Sequence, residues 1–331
     1  MTYHPRDDVA RIEKHGADKA LPLPPRVGYP EASHVFEQAD IDAIEVALVT
    51  GRPLLVRGDP GTGKTQLARA VAEVLGRALL TRVVDASTET RDLLWTLDAV
   101  ARLARAQMLG AQRDAKPEQL NDLIDVTAFI KPGVLWWAFD WDAALAQAKR
   151  TGATRPEVPE AWKPSQGVVV LVDEIDKADS AVPNALLDAF GSGRFEVDGR
   201  EPVSCRGERP PFVVITTNEE RALPDAFLRR CVVRHITWPA ERDVARYLTE
   251  RAKAHFRDLD TELVLPKAIE LLRAARTRAE KRDAMKPGLA EFIDMLRAVR
   301  ELAPGDAKGQ QARLDRIERY VLDKHPDEDG R

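Results

Sequence analysis

The sequence predicts an α/β fold: a parallel-sheet core built around a phosphate-binding loop, carrying a helical insertion and a β-hairpin, followed by a smaller all-α domain. Three observations predict it. A complete glycine-rich pattern, Gly58-Asp59-Pro60-Gly61-Thr62-Gly63-Lys64-Thr65, lies between an apolar run and an amphipathic helical stretch. Apolar runs then alternate with helical periods, as a parallel sheet with crossover helices requires. From Pro239 onward only helical periodicity remains.

Taken in order, residues 1–34 are charged and broken by Leu21-Pro22-Leu23-Pro24-Pro25 and Tyr29-Pro30, so they read as an extended arm whose first half lacks fixed structure. A helix is expected from about Glu37 to Thr50, with Gly51 as its stop. Pro53 to Arg57 reads as a short buried strand, Gln66 to Leu75 as the helix after the glycine loop, and Ala78 to Val84 as a second core strand. Residues 89–150 interrupt the alternation with a helix over Arg91 to Gln107, a polar linker, and a second helix that follows Phe129 to Trp137 and reaches Lys149. Trp136, Trp137, Phe139 and Trp141 crowd this insertion. They suit packing of a helical hairpin against the sheet, or a partner contact.

Val168 to Val172 is apolar throughout and ends in Asp173-Glu174, which places an acidic pair at the carboxyl end of a strand buried on both faces, where open α/β sheets hold their ligands. Val182 to Phe190 reads as a helix, and Phe195 to Val203 as a protruding hairpin turning at Asp198-Gly199. Pro211 to Thr217 is a further buried strand ending in Asn218. Leu223 to Cys231 is a short helix ending in Arg229-Arg230, and Val232 to Ile236 the last strand. Four helices follow: Glu241 to Phe256, Pro266 to Lys281, Lys286 to Leu302 and Gln310 to Lys324. The expected organisation is an arm over 1–30, a nucleotide-binding domain over 31–238, a helical domain over 239–325 and a tail over 326–331.

Bulk properties exclude several classes. A chain of 331 residues is long enough for about two domains. Its 50 Lys and Arg against 54 Asp and Glu leave a net charge of −4, so no overall basic field draws it to nucleic acid or anionic lipid. Cys205 and Cys231 alone make neither a disulfide framework nor a four-ligand zinc site, which suits a reducing cytoplasm. No apolar run of about 18 residues and no charged-then-apolar leader is present, so a soluble cytoplasmic protein without a membrane partner is expected.

The chemistry follows from residue type. Glycines at 58, 61 and 63 let consecutive N–H groups turn toward a polyphosphate, while Asp59-Pro60 stiffens the turn. Lys64 suits the β/γ-phosphates, the Thr65 hydroxyl suits Mg²⁺, and Thr62 and Gln66 complete the phosphate-binding stretch at the positive end of a helix. Asp173 would hold Mg²⁺ and Glu174 would polarise the water that attacks the γ-phosphate. Asn218 suits the attacking water or the γ-phosphate, or caps a turn. Arg229 and Arg230 carry permanent planar charge, fitted to transition-state charge on a neighbouring subunit. Cations at Arg273, Arg276, Arg278, Lys281, Arg282 and Lys286 read as a solvated helix face or, less simply, a nucleic-acid contact.

A phosphate loop, Asp173-Glu174, a strand-terminal Asn218, Arg229-Arg230 and a trailing helical domain, in this order, resemble an AAA+ ATPase. The insertion before the Asp-Glu strand, the Phe129-to-Leu135 stretch, the hairpin before Asn218 and Leu223-Pro224-Asp225-Ala226 resemble its MoxR family over about residues 30–320. The resemblance implies ATP and Mg²⁺ bound by Walker A residues including Lys64 and Thr65, and Walker B residues Asp173 and Glu174. It also implies Asn218 as sensor 1, a finger among Arg229 and Arg230, and Lys286 at the position of a sensor 2 cation in a helical lid. It further implies a hexameric ring, a partner with a von Willebrand factor A domain, and remodelling or maturation of a protein client. A nucleic-acid-stimulated motor of a restriction or defence system and an ATP-gated binding switch remain as other readings.

Overall fold

The computed structural model describes residues 3–110, 124–207 and 209–323. The tail expected at 326–331 and most of the polar linker inside the insertion lie outside these residues. The sequence folds as a five-stranded parallel sheet with surrounding helices and an all-α C-terminal region. By contact, the chain divides into two compact units. One comprises the described residues of 1–15, 39–56 and 71–234, the other those of 16–38, 57–70 and 235–331.

The first unit holds most of the sheet. Its strands are β3 (Leu54–Arg57), β4 (Ala78–Val83), β7 (Val168–Asp173), β10 (Phe212–Thr217) and β11 (Val232–His235), in the spatial order β11-β3-β10-β7-β4. In β7 every residue from Val168 to Val172 is buried, because strands β10 and β4 flank it in parallel register, Ile215 opposite Val172 and Val83 opposite Asp173. A continuous aliphatic run is what a strand covered on both faces needs.

The charged arm does not stay extended. Residues Pro5–His15 form α1, with Asp7 and Asp8 in its first turn and Lys14 and His15 in its last, the order the helix dipole favours. Asp8 is fully buried, and its carboxylate accepts hydrogen bonds from Tyr3, Arg77 and Arg209, so a charge of the supposedly extended arm is instead the anchor of the helix. Ile12 lies beside it in the interior.

The insertion is more broken than its periodicity suggests. The helix expected over Arg91 to Gln107 is interrupted: α4 (Thr90–Leu94) and α5 (Ala99–Gly110) flank β5 (Trp95–Leu97), which pairs antiparallel with β6 (Ile130–Pro132). Asp98 restarts the helix by accepting from the Ala101 N–H at 2.9 Å. Val100 and Leu103 of α5 are exposed. The second helix likewise splits into α6 (Val134–Phe139) and α7 (Trp141–Thr151) at Asp140, whose carboxylate caps Ala143. Trp136, Trp137, Phe139 and Trp141 are all buried in the core of this unit, which decides for packing over an exposed partner contact. Trp136 and Phe139 meet Phe195 of the hairpin formed by β8 (Arg194–Val197) and β9 (Arg200–Ser204). The hairpin turns at Gly199, as expected, but does not simply protrude: Phe195, Val197 and Val203 bury their side chains against the insertion.

The second unit joins three segments. Strands β1 (Ala20–Leu23) and β2 (Ala32–Val35) pair antiparallel, Leu23 opposite Ala32. Helices α10 (Glu241–His255), α11 (Val264–Lys281), α12 (Leu289–Leu302) and α13 (Ala307–Val321) close around Leu248, Leu272, Phe292, Leu296 and Leu314. The β1–β2 hairpin packs on α10, where Arg251 meets Glu37 at 3.0 Å and His255 hydrogen-bonds the Ser33 backbone.

Candidate functional site

The glycine loop belongs to the second unit and opens the helix α3 (Lys64–Leu75), where the Leu67 N–H donates to Gly63 at 3.0 Å. Gly58 is obligatory on two counts. Its φ of +148° lies where side chains strain, and a Cβ there would stand 2.3 Å from the Ile236 carbonyl oxygen. Lys64 is buried, and its Nζ donates to the carbonyls of Gly58 and Asp59 at 2.7 and 2.8 Å, while the Thr62 hydroxyl donates to Asp59. The lysine thus lies over the loop, where its donors suit phosphate oxygens as well as carbonyls. Thr65 and Gln66 sit half-buried in the first turn of the helix and Asp59 and Pro60 are exposed at the tip. Glycines in the left-handed region and a cation at a helix N-terminus fit a polyphosphate.

The acidic edge belongs to the first unit. One buried hydroxyl organises it: Thr216 Oγ1 donates to Asp173 Oδ1 and accepts from the Glu174 N–H at 2.9 Å. That N–H comes from a residue in the left-handed region, at φ +62° and ψ +47°, an uncommon conformation for glutamate that directs the chain sharply out of β7. The Glu174 carboxylate has two partners. Asn218 Nδ2 approaches Oε1 at 3.4 Å, and Lys177 Nζ donates to Oε2 at 2.6 Å, the hydrogen bond that chiefly raises the lysine's own pKa. Asp176, almost fully buried, accepts from the Asn218 and Glu220 N–H groups and so ties the turn after β7 to the turn after β10.

The structure therefore brings Asp173, Glu174 and Asn218 together. It adds Thr216, Asp176 and Lys177, which the sequence reading missed. Two threonines ending an otherwise apolar strand were the available signal for Thr216, since a polar side chain inside a buried strand requires a partner.

Arg229 and Arg230 follow α9 (Asp225–Leu228) and are exposed, with Arg230 facing Asp188 of α8 (Ala181–Ser192) at 3.8 Å. Lys286 in the helical region donates to Glu280 at 2.7 Å, and that contact holds the Glu280 carboxyl below its usual pKa. It is Gly288, Ala290 and Glu291, just beyond Lys286, that reach the glycine loop. The cation cluster is largely neutralised locally: Arg273 pairs with Glu241, Arg278 with Glu318 and Arg282 with Asp323. Among the described residues no helix is long and apolar enough to cross a membrane.

No curated protein matches the chain. A solved structure from Cytophaga hutchinsonii, described as a candidate ATPase, is 15% identical over 96% of this chain and 85% of that one, with a TM-score of 0.38, too low to define a shared fold by itself. The model of the AAA domain, dynein-related subfamily, matches residues 53–231, which include the glycine loop, Asp173-Glu174 and Asn218. With more than half of its length inside that match, the chain belongs to the dynein-related subfamily of AAA domains, a family of nucleotide-hydrolysing ATPases.

Proposed function

We propose that the protein is a MoxR-like, Mg-ATP-dependent ATPase that remodels or matures a protein client in the cytoplasm, as a ring, most simply a hexamer, with a von Willebrand factor A domain partner. The observation that carries the hydrolytic part is the Glu174 carboxylate, whose Oε1 faces Asn218 while its backbone N–H is fixed through Thr216 to Asp173. In this reading Lys64 and the loop N–H groups bind the triphosphate, and Thr65 and Asp173 hold Mg²⁺. When bound, the ion neutralises charge on the β/γ-phosphates. Glu174 takes the proton of the attacking water, and Asn218 orients that water or the γ-phosphate. Exposed Arg229 and Arg230 serve a neighbouring subunit, and Lys286 is the lid cation whose reach toward the γ-phosphate requires leaving Glu280.

The ion pairing of Arg273, Arg278 and Arg282 supports a protein client over a nucleic acid, since a basic surface committed to its own acids has fewer cations to release counterions from phosphates. Stimulation of hydrolysis by DNA or RNA, weakening with salt, would reverse that preference. An ATP-gated switch is separated by partner binding that follows ATP against ADP without client turnover.

The test of the hydrolytic reading is Glu174→Gln, which keeps the contact with Asn218 but removes the base. Nucleotide is expected to bind and persist uncleaved. Retained wild-type hydrolysis refutes the assignment. Mixing Arg230→Ala or Arg229→Ala subunits with Lys64→Ala subunits tests the finger, because a residue acting in trans recovers activity only in mixed rings.

A further inference from the structure

The second unit contains a connection that neither the glycine pattern nor the family match assigns. Two segments of this unit press on the phosphate loop. On one side the Ile236 carbonyl lies so close to Gly58 that a Cβ would stand 2.3 Å from it, and the Ile236 N–H donates to the Arg57 carbonyl at 2.8 Å. On the other side the start of α12 meets the loop tip. Ala290 N–H donates to the Gly61 carbonyl at 3.1 Å, and a Cβ on Gly288 would lie 3.4 Å from the Pro60 carbonyl oxygen.

One side chain spans these two segments. Arg276, on α11, stacks its guanidinium carbon 3.8 Å from the ring centroid of Trp238, two residues beyond Ile236. Its Nη1 donates to the carbonyl of Pro287, next to Gly288, at 2.6 Å. Arg276 is half-buried, and the acidic groups facing it include Asp59 of the loop itself, together with Glu280 and Glu241. Read from sequence as one member of a solvated cation face, it points inward instead. Stacking and a directed N–H are a combination that a planar, permanently charged guanidinium provides and an ammonium does not.

We propose that Arg276 is a clasp that holds the two loop-facing segments of the second unit, the chain at residues 236–238 and the start of α12, as one body, so that the phosphate loop and the C-terminal helices respond to nucleotide together. It is a positioning residue, acting through Trp238 and Pro287 rather than by touching the nucleotide. The inference rests on the nucleotide-binding reading above and extends it to how occupancy of the loop reaches the helices.

The test is Mg-ADP binding by isothermal titration calorimetry on the full chain, with intrinsic tryptophan fluorescence recorded in parallel. Arg276→Ala and Trp238→Leu are each expected to weaken Mg-ADP at least tenfold, and the double variant to be no weaker than either single one, because each breaks the same clasp. Arg276→Lys is expected to fold and to recover only part of the loss. The part of the fluorescence change on adding Mg-ADP that Trp238 reports, taken as the difference between wild type and Trp238→Phe because the chain has five other tryptophans, is expected in wild type and absent in Arg276→Ala, which removes the coupling. Arg273→Ala, one turn away and paired with Glu241 at the surface, is expected to bind as wild type does. Arg276→Ala binding within twofold of wild type, or losses that add in the double variant, overturns the clasp. If Arg276→Ala does not fold, Arg276→Lys and Trp238→Leu decide by the same criteria. Lys64→Ala separates the two levels: if wild type binds and Lys64→Ala does not, the nucleotide reading stands whatever Arg276 shows, and if wild type itself does not bind, that reading fails first.

Discussion

Thr216→Val is the most discriminating single substitution at the acidic edge, because it keeps shape and removes one hydroxyl that does two things. Thr216 is fully buried, so water does not take the place of its hydroxyl beside the Glu174 N–H. The Glu174 N–H loses its acceptor and Asp173 loses a donor. An orphaned buried N–H costs about 1–3 kcal/mol, and a hydrogen bond to a charged group is worth about 1.5–3 kcal/mol. The extra apolar group of valine returns about 0.8 kcal/mol. Because Asp173 is only partly buried and regains water, the low end of the second range applies. A net loss of about 2–4 kcal/mol is therefore expected in urea unfolding. The functional loss should be larger than that suggests. Glu174 sits in a left-handed conformation that this N–H helps to fix, so freeing it lets the carboxylate leave Asn218. A drop of about tenfold to a hundredfold in turnover is expected, on the scale of misplacing a catalytic group by about 1 Å. Thr216→Ser keeps the hydroxyl and should retain most of both. Turnover within twofold of wild type and stability within about 0.5 kcal/mol for Thr216→Val would refute the view that this hydroxyl builds the site.

Further predictions concern stability and reactivity. Burial, and secondarily the charge of Arg297, lowers the His255 pKa to about 4 against the hydrogen bond to Ser33. Since the unfolded chain binds that proton near pH 6.5, the stability contribution is full above about 6.5 and is lost as pH falls toward 4, so urea midpoints should decline across that window and His255→Gln should flatten the decline. Burial pushes the Cys231 thiol up to about 12, so iodoacetamide at neutral pH should leave it unmodified until the protein is denatured. Asp8→Ala leaves the Arg77 guanidinium buried without its carboxylate and should cost about 3–5 kcal/mol, read as a lower urea midpoint, whereas replacing Asp7 in the same helix should change little. Trp136→Ala opens a cavity in the interior of the first unit and should cost about 3–5 kcal/mol in the same assay.

What was legible in the sequence was whatever is encoded locally. The glycine loop needs its residue types at fixed spacing, and β7 needs an unbroken aliphatic run, so both are written in consecutive residues. Asp198-Gly199 specified its own turn. The misreadings share a different cause. Thr90 to Gly110 has helical periodicity from end to end, yet Trp95 to Leu97 extends because a strand more than thirty residues downstream, Ile130–Pro132, offers it a ladder. The N-terminal arm looks too charged to fold, yet Asp8 is buried because Arg77 and Arg209, far along the chain, neutralise it. At the site the same rule holds. Asp173, Glu174 and Asn218 mark strand ends and are visible, whereas Asp176 becomes a neighbour of Asn218 only once β7 and β10 lie side by side, and Lys177 reaches Glu174 only once the turn after β7 has formed.

The arginines make the point most sharply, because their charge is constant while their use differs. Arg273 and Arg276 lie one turn apart on α11. Arg273 meets Glu241 near the surface, where an ion pair contributes about 0–1 kcal/mol and salt screens it. Arg276 is half-buried, stacked on Trp238 and bonded to the Pro287 carbonyl, so truncating it removes a cation–π contact, a charge-assisted hydrogen bond and packing at once. Arg69, on the helix that the glycine loop opens, makes a parallel case: it donates to the carbonyls of Pro24 and Pro30 and lies 5.1 Å from the Tyr29 ring centroid, fastening the turn between β1 and β2. In both places the acceptors are carbonyls of prolines, which have no N–H of their own, and a guanidinium fork is the side chain able to gather such carbonyls while stacking on a nearby aromatic. A segment that reads as an unstructured proline-rich arm is thereby fixed to the phosphate-loop helix. Arg69→Ala should accordingly increase hydrogen exchange across residues 20–35 well before it affects α12, an order of loosening that a merely global loss of stability would not produce.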